Sequence, residues 1–138
     1  MEKLSRKLGE VSYDNLFAGT IPKPRPMSGI LRKCEGEEGT EIVLKRGTLL
    51  AKSSTDGKLV ILGTAAKEGE TLEPYGVLCD DTTVGVVEDE PCAIYAEGHF
   101  NSNSLIVADG YAITEQDKDT LRKYRIVFSE KKKKKEEG

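Results

Sequence analysis

The chain has 138 residues, 37% of them hydrophobic and 33% charged, with a formal net charge of −3. Globular averages are about 45–50% apolar and about 25% charged, so a self-sufficient core would be thin, and either some burial occurs against partners or part of the chain stays unfolded. The five lysines and two glutamates of residues 131–137 contribute +3 and leave −6 on the rest, which argues against a nucleic-acid binder that tracks phosphates; there is no apolar run of about 18 residues to span a membrane, and the start MEKLSRKLGEVSYD has no apolar stretch of the secretory type.

Residues 1–40 lack a sustained period. MEKLSRKL offers a turn or two of helix before Gly9, and SYDNLFAGTIPKPRP then sets Leu16, Phe17 and Ile21 beside Pro22, Pro24 and Pro26. Each proline fixes φ and pushes the residue before it toward extended geometry. An extended N-terminal arm is therefore expected, followed by the charged loop CEGEEGTE, with the two together covering residues 1–40. Residues 41–128 read as a β-rich domain and 129–138 as a disordered lysine-rich tail ending KKKKKEEG. A proline-rich ligand for an SH3-type domain is a further reading of PKPRP.

Strand signals begin at EIVLKRGTLLAK, interrupted at Gly47. Asp56-Gly57 supplies a residue tolerant of positive φ between two apolar runs, so Thr48–Lys52 and Lys58–Leu62 are expected to pair antiparallel. TAAKEGETLEP reads as a loop, and YGVLC and TTVGVVEDEP as short strands. CAIYAEGHF alternates, with Cys92, Ile94 and Ala96 on one face and Ala93, Tyr95 and Glu97 on the other. ITEQDKDTLRKY is the one good helix: Thr114 is its N-cap, Asp117 stands at capping-box spacing, acids fill the first turn and Arg122, Lys123 and Arg125 the last. IVF closes the chain as a strand. The fold class is mainly β, a small antiparallel β-barrel or sandwich-like body with one short helix in the C-terminal half and an extended N-terminal arm.

No catalytic signature emerges. His99 is the only histidine, and Cys34, Cys79 and Cys92 include no close C-x₂₋₄-C pair, so neither a metal site nor a cofactor site is expected. The odd count and wide spacing fit free thiols from a reducing cytosol. The acids of EGEEGTE and EDEP lie in loops as solvated charge, and no phosphate-binding glycine spacing is present. In GHFNSNSL, a glycine followed by amides and hydroxyls predicts a hydrogen-bonded structural corner built on Gly98, His99 and Asn101.

Taken in order, YDNLFAG, LKRGTLLAK, GKLVIL, YGVLCDD, CAIYAEGHFN and LRKYRIVF resemble the lambda-type head decoration proteins of tailed bacteriophages over roughly residues 12–128. The shared marks are the YDNL-AG stretch, Arg46-Gly47, the strand at Gly76, Val77 and Leu78, the Gly98 and Asn101 corner, and Leu121, Arg122 and Ile126 around the helix exit. The chain departs from the pattern in a longer, more charged insert from Pro22 to Gly39, and in carrying Arg125 after the helix where the family tends to carry glycine, which disfavours a left-handed exit there.

The resemblance implies a structural virion protein, not an enzyme, without cofactor, made in the bacterial host cytoplasm and carried on the outer surface of the capsid. It implies a homotrimer at three-fold sites that clamps the major capsid protein and stabilises the head against internal DNA pressure, with no nucleic-acid or membrane partner. It assigns Tyr13, Asp14, Asn15, Leu16, Phe17, Ala18, Gly19 and Ile21 to a capsid-binding arm that adds a strand to the shell. Three alternatives stay open: Leu16 and Phe17 folding back on their own body, a small β-barrel adaptor acting through its tails, and a thiol enzyme using Cys79 or Cys92 with His99.

Overall fold

The computed structural model describes residues 15–130. Among the described residues eight strands and one α-helix follow in chain order: β1 Arg25–Leu31, β2 Glu41–Leu44, β3 Leu49–Ser53, β4 Leu59–Ile61, β5 Leu72–Leu78, β6 Thr82–Gly85, β7 Glu90–Asn101, α1 Glu115–Lys123 and β8 Ile126–Ser129. Five strands run β1-β4-β3-β5-β7 and close on themselves through a β1–β7 pairing, making a barrel. β8 extends the sheet beyond β7, and β2 and β6 form a separate two-stranded ribbon.

The mainly β class with a single short helix is as expected, and so is the hairpin of β3 and β4, with Leu50 opposite Ile61 and Gly57 at φ +74 in its turn. The sheet is not wholly antiparallel. β8 runs parallel to β7, from Gly98 beside Ile126 to Asn101 beside Ser129, because α1 carries the chain back between them and a helical crossover returns the next strand in the same direction. β1 meets β4 in parallel at Leu31 and Leu59.

An extended arm and loop reaching residue 40 must be corrected. Residues 25–31 are a full barrel strand, antiparallel to β7 from Arg25 opposite Glu97 to Leu31 opposite Glu90. The prolines do not prevent this. The register shifts between Arg25 and Pro26, and a proline is tolerated in a strand at such an irregularity, where no ladder donor is required.

Two apolar clusters account for the burial. Leu31, Leu59, Leu50, Leu78 and Ile94, one from each barrel strand, fill the interior together with Leu44 and Val84 of the ribbon. The opposite faces of β3, β5 and β7 are also apolar: Leu49, Ala51, Val77 and Phe100 are buried outside the barrel under Leu121 of α1, Ile126 of β8 and Leu16 of the N-terminal segment. Central strands buried on both faces read as continuous apolar runs rather than alternations, as LLA and GVLC do here.

α1 starts with the expected capping box. The Thr114 hydroxyl accepts from the Asp117 amide at 3.0 Å, and the Asp117 carboxylate accepts from the Thr114 amide at 3.1 Å. Its end is left-handed after all. Arg125 sits at φ +68, its amide donates to the Arg122 carbonyl at 3.0 Å, and its own carbonyl accepts from the Gly98 amide at 3.1 Å. Tertiary bonding on both sides of Arg125 thus holds a conformation its side chain disfavours.

An ionic cluster around the buried Glu70 joins the end of β1 to the β3–β4 turn and the loop before β5. The Arg32 guanidinium pairs with Glu70 and with Asp56, and Glu70 also accepts from the Ser53 hydroxyl at 2.5 Å and the Lys67 amide at 2.9 Å. Arg32 first, then the two hydrogen bonds, hold the Glu70 carboxyl at about 2.

Arg125→Gly relieves a left-handed residue costing about 1–2 kcal/mol and loses about 0.5–1 kcal/mol to added freedom of the unfolded chain. A net gain of about 0.5 kcal/mol is expected, read as a higher urea midpoint at unchanged slope. For Glu70 the folded value lies below the ordinary 4.5, so its carboxylate stabilises the fold above that pH, and the contribution fades as pH falls from about 4.5 toward 2. An acid titration followed by circular dichroism should show this component in the parent and lack it in Glu70→Gln.

Candidate functional site

The arm residues and the corner residues, some eighty positions apart in the chain, meet in one joint. Phe17 forms an antiparallel bridge with Phe100 at the end of β7. The Ala18 amide donates to the His99 carbonyl at 3.0 Å, and the Asn101 amide donates to the Leu16 carbonyl at 2.8 Å. The Asn101 side chain does the most. Its Nδ2 donates to the Asn15 carbonyl at 3.0 Å, and its Oδ1 accepts from the Asn103 amide at 3.1 Å, so one buried amide ties the N-terminal segment to the turn that follows β7. Ser104 Oγ donates to the same Asn15 carbonyl at 3.0 Å. Asn15 is at φ +68, a conformation that asparagine tolerates better than most residues.

Packing completes the joint. Leu16 is 2% exposed in the outer apolar cluster. The Phe17 ring stacks on Phe100 at 5.1 Å and meets Tyr95 edge-on at 5.1 Å. Arg46, at the entry to β3, lies over both rings, 5.9 Å from the Phe17 centroid and 5.6 Å from that of Tyr95. Its guanidinium donates to the Tyr95 hydroxyl at 2.9 Å and the Cys79 carbonyl at 2.8 Å, while the Asp81 carboxylate accepts from its backbone amide at 2.8 Å. A cation held by that many partners over an aromatic face adds about 0.5–2 kcal/mol.

Two glycines permit the close approach. Gly47 is at φ +97, and a Cβ there would lie 2.8 Å from the Ser104 carbonyl oxygen. A Cβ at Gly19 would lie 2.4 Å from His99 Nδ1. His99 itself bonds through Nε2 to the Ser129 hydroxyl at 2.7 Å, and the Gly98 amide reaches the helix exit at Arg125.

Of the arm residues, Leu16 and Phe17 are thus turned onto their own body, the alternative the sequence left open, because the outer face of β3, β5 and β7 needs apolar cover. Ala18 and Gly19 are half-buried at the joint, and Ile21 is 79% exposed. Tyr13 and Asp14 lie outside the described residues, as does the KKKKKEEG tail. Arg46 escaped sequence reasoning as a functional residue; its one signal was its place before Gly47 in the family-like pattern.

The thiols are ill-suited to nucleophilic work. Burial first, then the neighbouring Asp80, pushes Cys79 up to about 11, and burial with Glu90 does the same to Cys92. Both are protonated at neutral pH and unreactive in that form. Among the described residues no group of three or more His, Cys, Asp or Glu side chains is placed to hold a metal ion. No helix of the described residues is long and apolar enough to cross a membrane.

In comparison with known proteins, the family model of bacteriophage lambda head decoration protein D matches residues 37–126, well over half of the chain. No curated protein matches.

Asn101→Ala removes the link between the N-terminal segment and the turn and strands the Asn103 amide. A loss of about 1–3 kcal/mol of stability is expected. Hydrogen exchange should rise selectively at the Ala18 and Asn103 amides, whereas a uniform rise across the barrel would mean that the corner supports the whole fold rather than the joint.

Proposed function

Because the chain belongs to the family of bacteriophage lambda head decoration protein D, a family of structural capsid proteins, we propose that it stabilises the phage head from outside against the pressure of packaged DNA. In this reading it is a homotrimer, made in the bacterial host cytoplasm, that binds the major capsid protein at three-fold sites of the shell. The barrel is the rigid holder, and the residues before Asn15, Tyr13 and Asp14 included, are the hook.

The observation that carries this reading is the joint between residues 15–18 and 99–101. Ordering a backbone costs about 1–2 kcal/mol per residue, and for residues 15–18 that cost is already met by burial of Leu16, stacking of Phe17 and four hydrogen bonds from the corner. Residues 1–14 then carry the contact with the shell, where an extended segment gains main-chain bonds by adding to a sheet edge. Leu16 and Phe17 act as anchors of the hook, and exposed Ile21 is left as an apolar contact beside it.

The test is co-sedimentation with expanded phage heads, using the full chain and a variant lacking residues 1–14. The cut falls before Asn15 because a deletion through residue 26 would also remove the anchors and the start of β1. The full chain is expected to pellet with heads, and the truncated chain to keep its melting temperature and stay in the supernatant. A full chain that ignores heads sinks the decoration reading, and a truncated chain that binds as well as the parent sinks the hook.

A further inference from the structure

The β1–β7 strand pair carries opposite charge at its two ends. At one end Arg25 and Arg125 both grip the single carboxylate of Glu97, at 3.2 and 3.4 Å. Lys123 lies beside them, and Met27 and Tyr124 expose apolar surface in the same groove of about 340 Å³. Two guanidiniums and an ammonium against one carboxylate leave the groove cationic on a body of net charge −6. Arg125 is 61% exposed, so its pair with Glu97 is worth little by itself. Yet it occupies a left-handed position that glycine would fill without strain. Its side chain contributes little within this chain that offsets that strain.

At the other end, six residues and about 20 Å along β1, the loop after Leu31 is tied to the turn before β7. The Cys34 amide donates to the Gly85 carbonyl at 2.7 Å and the Lys33 amide to Asp89 at 2.8 Å. This brings Glu37, Glu38 and Glu41 to the same end as Glu88. All four are exposed and make no ion pair among the described residues. The apolar Val87 stands 68% exposed among them.

We infer that the Arg25–Arg125 groove of one copy receives the Glu37–Glu41 loop of a second copy of this chain, head to tail. Charge complementarity selects the occupant, since both halves of the contact are present on one molecule, at the two ends of the β1–β7 pair. Arginine, tyrosine and methionine are the side chains enriched where protein surfaces meet. A contact between two different patches is heterologous and closes into a ring when the rotation permits. The inference rests on the homo-oligomeric reading above and gives it a surface.

Sedimentation velocity on the full chain tests it apart from head binding. In about 0.01 M salt, where charges are felt over about 30 Å, the parent is expected to associate; in about 1 M salt, where the range is about 3 Å, it should move toward the monomer. Arg25→Glu with Arg125→Glu, or Glu37→Lys with Glu38→Lys, should each weaken self-association by about tenfold or more. Mixing the two variants should recover one contact, read as a heterodimer, since each keeps the half the other lacks. A parent that is monomeric in low salt overturns the inference and leaves the groove to an acidic partner other than this chain. Association indifferent to salt and to charge reversal overturns it as well. Failure to bind heads by a chain that shows the expected salt and reversal pattern would count against the decoration reading alone.

Discussion

The structure depends on burying both faces of three strands with little apolar material. β3, β5 and β7 present Leu50, Leu78 and Ile94 inward and Leu49, Val77 and Phe100 outward. Closing the barrel removes the inner set from water, but the outer set remains, and each large side chain left exposed forgoes about 1.5–3 kcal/mol. Leu121 of α1, Ile126 of β8 and Leu16 of the N-terminal segment are the cover. This explains why so short a helix is capped at both ends, and why the front of the chain folds back over the body before entering β1.

From that constraint follows the division of labour in the proposed role. A hook that is wholly free would lose the full ordering cost on binding, whereas one whose base is already stacked and hydrogen-bonded loses only what lies beyond. The amide of Asn101, the rings of Tyr95 and Phe100, and the guanidinium of Arg46 share the task of holding that base. They come from β7 and the entry to β3, beside the outer apolar cluster.

The same economy bears on charge. Ion pairs at the surface add little stability, and the cluster around buried Glu70, with Arg32 and Asp56, sits where β1 leaves the barrel and needs a fixed exit. The remaining charge is segregated along β1, cationic near α1 and anionic near the ribbon. Such segregation gives a single barrel chain no energetic advantage; in the proposed contact between copies it would set orientation, because only a head-to-tail approach brings unlike ends together.

What the sequence by itself determined is what short-range chemistry controls. The Asp56-Gly57 hairpin, the Thr114 and Asp117 capping box, the β class and the burial of Cys79 all rest on residues a few positions apart or on alternation within one strand, and all are visible without coordinates. Tertiary structure alone decided the rest. Pro24 and Pro26 argued for an arm, yet β1 exists because β7, about seventy residues later, offers a ladder and a bulge that tolerate them. Arg125 is left-handed because the carbonyl it presents to Gly98 outweighs its side chain's preference. Leu16 and Arg46 have no local reason to meet Phe100 and Phe17. Their positions follow from closing the barrel, a long-range event whose contacts no window of the chain contains.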